Sequence, residues 1–148
     1  NVQESVIRTL ENERQVFENG LLFNNFKDRV QFTRSKTLKL LQDELLSKRV
    51  IGAYGAPAKA FTVLSYYGLN EETIKFCVDT TPTKIGKVFP VFNIPIISEE
   101  ELCKIEYDTL IVNAWNYKED ILKKASSIFK KGTKLIFIIP ELEIYIVE

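Results

Sequence analysis

Apolar residues recur at helical intervals through the first third of the chain. Val6, Leu10 and Phe17 repeat in a segment rich in Glu, Arg and Gln, and Asn19-Gly20 supplies a stop signal. Over residues 35–48, Leu38, Leu41, Leu45 and Leu46 form one stripe with Lys, Asp and Glu elsewhere, which predicts an amphipathic helix laid on an apolar surface. Residues 23–32 between them are aromatic and less regular, and their pattern fits a helix or a docking segment equally.

At Val50 the texture changes to short apolar runs separated by helical patterns. Strands are predicted over residues 50–54, 74–79, 94–97, 109–114 and 134–139. Helices are predicted over residues 57–67, closed by Gly68, and over 117–129. Ser98-Glu-Glu-Glu101 is a capping box that opens a further short helix. The late Glu-Leu-Glu-Ile-Tyr segment carries no chemical signal and is taken as structural. Strands alternating with helices imply a parallel sheet covered on both faces. The fold class is therefore α/β, a Rossmann-like doubly wound sheet of about five strands over residues 49–148, with a helical arm over 1–48.

Composition narrows the function. Twenty basic residues balance twenty acidic ones, so there is no basic field to gather nucleic acid or anionic lipid. The apolar runs are far too short to cross a bilayer, which predicts a soluble, cytoplasmic protein. With no histidine, no Ser/His/Asp or Cys/His relay and no imidazole metal ligand can form. The lack of methionine suggests a domain of a longer enzyme. Cys77 and Cys103 are expected to be small buried hydrophobes.

The sharpest local signal is Ile51-Gly-Ala-Tyr-Gly-Ala-Pro-Ala-Lys-Ala60, a strand running through a glycine turn into a helix. Pro57 suits the first helical position, where its missing amide costs nothing. The free amides of such a helix start and its positive dipole end make an anion site, and Lys59 adds an ammonium, together enough to hold a diphosphate without a metal. The spacing departs from the full dinucleotide fingerprint, because Gly52 and Gly55 stand one residue too far apart, and Gly-Lys-Ser/Thr of a Walker loop is missing. A turn chosen only for packing is the competing reading.

Topology adds a second argument. In a doubly wound sheet the first strand lies beside the strand that follows the crossover back, and ligands sit above their carboxyl ends. That rule brings the 54–59 turn beside Asn113-Ala-Trp-Asn-Tyr117, where Trp115 can cover a flat ring and Asn113 and Asn116 can bond hydroxyls or imide edges. Burial of Trp115 as core, with Tyr117 merely starting a helix, is the alternative. Asp79 closes the second strand about where nucleotide folds keep an acid for ribose hydroxyls, or else forms an Asx turn before Thr80-Thr-Pro82. Lys84 and Lys87 bracket Gly86 and either reach a phosphate or stay solvated.

Four motifs in order, Gly52-Ala-Tyr-Gly-Ala-Pro-Ala-Lys59, Phe76-Cys-Val-Asp79, Asn93-Ile-Pro-Ile96 and Asn113-Ala-Trp-Asn-Tyr117, resemble the C-terminal domain of the sugar C-methyltransferases. Those enzymes move a methyl group from S-adenosylmethionine to a carbon of a nucleotide-linked keto-deoxysugar. The resemblance implies that zinc, S-adenosylmethionine and the catalytic cluster belong to upstream domains of the same polypeptide, that this chain binds no cofactor of its own, and that the isolated piece is inactive. It further implies a nucleotide-diphosphate sugar as partner: Tyr54, Gly55, Ala56 and Lys59 toward the diphosphate, Asp79 toward the nucleotide, and Asn113, Trp115, Asn116 and Tyr117 lining the cleft. Ala60-Phe61 departs from the small and polar pair that usually follows the lysine, which points to a tighter helix entrance. Two other functions compete with this one, an NAD-binding domain of an oxidoreductase and a nucleotide-sensing module without catalysis.

Overall fold

The computed structural model describes residues 2–18 and 21–148, so the stop signal at Asn19-Gly20 lies outside the described residues. By compactness the chain forms two units, Asn1–Ser35 and Lys36–Glu148. In the first, α1 spans Val2–Glu18, and Val6, Ile7 and Leu10 on it are exposed. Helix α2, Leu21–Leu46, starts in the first unit and ends in the second. Residues 23–32 are thus helical, and no Gly or Pro interrupts α2 from end to end.

The second unit is built on a six-stranded sheet in the order β3-β2-β1-β4-β5-β6, with β1 at Ile51–Tyr54, β2 at Cys77–Val78, β3 at Ile96–Ile97, β4 at Thr109–Val112, β5 at Lys134–Phe137 and β6 at Glu143–Ile146. Neighbours are parallel except β5 and β6, which are antiparallel. This is the Rossmann-like α/β sheet expected, with one strand more than the five read from the sequence. The sixth comes from the tail taken as structural. Its alternation, Glu143 and Tyr145 to one face and Ile144 and Ile146 to the other, is a strand pattern, but only four residues long.

Helices cover both faces. Leu64 and Ala60 of α3 (Ala58–Tyr67) and Leu41 of α2 pack on Ile51, Ala53, Ile111 and Ile136. On the other face Leu102 of α4 (Glu99–Leu102), Ile121 of α5 (Lys118–Lys123) and Ala125 of α6 (Ala125–Ile128) pack with Val78, Leu110, Leu135 and Phe137. Each fully buried Leu or Ile contributes about 1.5–3 kcal/mol. Gly52 is required by this packing, because the Phe76 ring occupies the place a β-carbon would take.

The predicted ends hold in part. Gly68 closes α3 in the left-handed conformation, and the Ser98 capping box forms with both of its bonds. Pro57 is the N-cap of α3, at φ −71° and ψ 154°, one position earlier than expected, because its extended ψ keeps it outside the helix. The helix expected over 117–129 is two short ones, parted where Lys124 takes φ −104° and ψ 1°. Cys77 is buried as expected, whereas Cys103 follows the last buried position of α4, Leu102, and is exposed.

At the amino edge of the sheet, Glu44 of α2 is buried. Its carboxylate accepts from Thr109 Oγ1 at 2.6 Å, from Arg49 at 3.2 Å and from Lys134 Nζ. Burial alone would raise its pKa, but the bonds from Lys134 and Thr109 outweigh it and hold the carboxyl below its ordinary value. Thr109 and Lys134 open β4 and β5, so this cluster fixes the end of α2 to two central strands.

Candidate functional site

The site is built where β1 turns into α3 at the carboxyl edge. Gly55 has φ +87°, a left-handed conformation, and a β-carbon there would stand 3.0 Å from Ala114 Cβ. Glycine therefore lets the turn lie directly against the loop that follows β4. Two bonds hold the contact: Asn113 N–H donates to the Tyr54 carbonyl at 2.9 Å, and Asn113 Nδ2 donates to the Gly55 carbonyl at 3.0 Å. Since β1 pairs with β4 in register from Ile51↔Thr109 to Tyr54↔Val112, the two loops leave the sheet side by side, as the topology argument required.

A single 3-10 turn, Trp115–Tyr117, then carries the Trp115 and Asn116 side chains to the start of α3. Lys59 Nζ lies 3.9 Å from the centre of the Trp115 ring and donates to Asn116 Oδ1 at 2.7 Å. No carboxylate forms an ion pair with Lys59 among the described residues. An ammonium has three protons and Asn116 takes one, so two remain to offer. Trp115 is half-buried, while Asn116 and Tyr117 are exposed. The Ala58 and Lys59 amides occupy the first turn of α3, where a helix has no acceptor of its own for them.

Behind this mouth the other candidates are committed to internal bonds. Asp79 is 8 % exposed; Oδ2 accepts from Ala56 N–H at 2.7 Å and from Lys84 Nζ at 3.2 Å, and Oδ1 from Thr81 N–H at 2.8 Å. The last bond is the Asx turn weighed from the sequence. Burial pushes the Asp79 pKa up, but the bonds from Thr81, Ala56 and Lys84 win and hold it below the ordinary value. Lys84 also donates to the Ala56 carbonyl at 3.0 Å, so the lysine and the aspartate clasp Ala56 between them. Asn113 is 1 % exposed and stitches the two loops, facing inward rather than lining an opening.

Tyr54 points to the face of the sheet opposite α3, the face on which Trp115 also packs. Its ring meets Phe129 edge-on at 5.0 Å and its hydroxyl donates to Glu99 Oε1 at 2.6 Å. Burial, then the Glu99 carboxylate, raises its pKa, so the phenol stays protonated. Lys87 is exposed.

The structure thus brings Gly55, Ala56, Lys59, Trp115 and Asn116 to one place, with Tyr117 at its rim, and sets Tyr54, Asp79, Lys84 and Asn113 as its supports. Sequence reasoning missed Glu99 and Ala114. The small residue before Trp115, opposite a turn glycine, was the available signal for Ala114. Among the described residues no three His, Cys, Asp or Glu side chains are grouped to hold a metal, and the acid best placed for an adenosine ribose, Asp79, is spent on the chain itself.

Residues 1–140 match the family model described as the C-methyltransferase C-terminal domain. The chain is 31% identical over 141 residues to the C-methyltransferase NovU of Streptomyces niveus, an alignment that covers 95% of this chain and 34% of that relative. The chain therefore spans about a third of the length of the curated relative it matches. The match of residues 1–140, carried on a Rossmann-like sheet, places the chain in the family of C-methyltransferase C-terminal domains.

Proposed function

We propose that this domain holds the nucleotide-diphosphate part of a nucleotide-linked deoxysugar while an upstream domain of the same polypeptide carries S-adenosylmethionine and performs the C-methylation. The observation that carries the reading is the Lys59–Trp115–Asn116 group, an ammonium with no carboxylate partner among the described residues, poised over an aromatic ring at a helix start. Each charge-assisted hydrogen bond from Lys59 or a first-turn amide to a phosphoryl oxygen contributes about 1.5–3 kcal/mol. The accessible part of the indole and the Asn116 amide offer an apolar and a polar contact to the rest of the ligand.

Within the whole enzyme these residues act at a distance from the reacting carbon. Binding energy collected at the diphosphate holds the sugar in the geometry that transfer requires and is available to offset the entropy of orientation. Tyr54, with its proton retained, and Asp79, with its oxygens occupied, support the turn and take no part in proton transfer.

An NAD-binding domain is the less favoured reading, because its defining acid has to be free to accept from ribose hydroxyls, and Asp79 accepts from Ala56, Thr81 and Lys84 instead. Calorimetric titration of the chain with thymidine diphosphate, NAD and S-adenosylmethionine in parallel tests the proposal. Thymidine diphosphate is expected to bind most tightly. Preference for NAD or S-adenosylmethionine would overturn it.

A further inference from the structure

We propose that Glu143, acting through Lys118, is a positioning residue for the tryptophan side of the mouth, an inference that rests on the binding role just assigned to Trp115. The 3-10 turn that carries Trp115 and Asn116 has no buried residue, and its N-cap, Ala114, contributes no side-chain bond. Its next anchor is Lys118, whose backbone N–H donates to the Trp115 carbonyl. The Lys118 ammonium reaches across to β6 and lies 2.6 Å from both carboxylate oxygens of Glu143. Tyr145 OH donates to Glu143 Oε2 at 2.6 Å, so the carboxylate is itself held in place. The same ammonium stands 5.0 Å from the Tyr145 ring centre and 5.7 Å from that of Phe137.

Glu143 is fixed by its strand, because it pairs with Phe137 in the antiparallel ladder between β5 and β6. A paired strand therefore holds one end of the turn, whose Trp115 ring also packs against the sheet's core, and the turn holds the ring on which Lys59 rests. The pair is partly exposed, with side chains 26% and 37% accessible, so its worth to global stability is small and its effect is local. Support by a neighbouring element is what a binding group needs to keep its productive geometry.

Trp115 is the sole tryptophan, so its fluorescence reports the turn directly. In the 148-residue chain, Glu143→Gln and Lys118→Met are each expected to raise acrylamide quenching of Trp115 and to weaken thymidine diphosphate binding about fivefold, measured by calorimetry. Lys118→Arg, whose fork can engage both oxygens of Glu143, is expected to restore both. In a Trp115→Ala background, Glu143→Gln is expected to cost no further affinity, because its effect passes through the ring. Unchanged quenching in both variants, or losses that add to that of Trp115→Ala, would overturn the inference. Should Trp115→Ala bind the nucleotide as well as the parent does, the binding role falls instead, and quenching alone decides the positioning claim.

Discussion

The two edges of the sheet each hold a charged side chain beside backbone ends, and they treat it in opposite ways. At the amino edge the Glu44 carboxylate is buried and meets two cations and a hydroxyl, so each of its oxygens is bonded within the protein. At the carboxyl edge the Lys59 ammonium meets one amide oxygen and an aromatic face, and no anion among the described residues. The first arrangement is closed and answers a structural need, since an unpaired buried charge is costly. The second leaves positive charge without an anionic partner at a helix start, which is the feature the proposed diphosphate role draws on. Asp79 and Lys84 sharpen the contrast: they pair with each other, whereas Lys59 meets no carboxylate among the described residues.

The comparison breaks most visibly at Glu44. Glu44→Ala leaves Lys134 and Arg49 facing a gap, and a loss of about 3 kcal/mol in urea unfolding is expected, at the low end for a broken buried pair because Lys134 keeps some solvent contact. Next comes Gly55→Ala, which forces a β-carbon against Ala114 in a left-handed backbone. It is expected to cost about 2 kcal/mol and to separate the two loops, so nucleotide affinity falls along with stability. Lys59→Met is expected to change stability by less than about 1 kcal/mol, since a single, only half-buried cation–π contact contributes little. Its effect belongs to binding.

A smaller effect is expected with acid. Glu44 and Asp79 both have folded pKa values below their ordinary 4.5 and 3.8, so the unfolded chain takes up protons first. Their stabilisation is complete above those ordinary values and is lost as pH falls through the folded ones. Thermal unfolding scanned from pH 6 down to about pH 3 is expected to show this decline, and Glu44→Gln is expected to flatten it.

Much of the carboxyl edge was legible in the sequence because its signals are local. A strand, two glycines, a proline and a lysine within ten residues specify the turn, and the parallel order of β1 and β4 follows from strands alternating with helices. What escaped depends on partners distant in the chain. Glu44 lies in the polar part of an amphipathic helix by its pattern, and only the fold brings Thr109 and Lys134 to it. The occupation of Asp79 by the Ala56 amide and of Asn113 by the Gly55 carbonyl is equally invisible until the loops are side by side. Strand β6 was missed for another reason: four alternating residues stabilise themselves weakly and become a strand because β5 is there to pair with.

The account turns on whether the ammonium at the start of α3 recognises phosphoryl groups. Affinities of thymidine diphosphate and of thymidine for the parent chain and for Lys59→Met measure this directly. The expected result is that the substitution weakens the diphosphate by about 10- to 150-fold, the worth of one charge-assisted hydrogen bond, and leaves thymidine unchanged. An equal loss for both ligands, or none for the diphosphate, would contradict it.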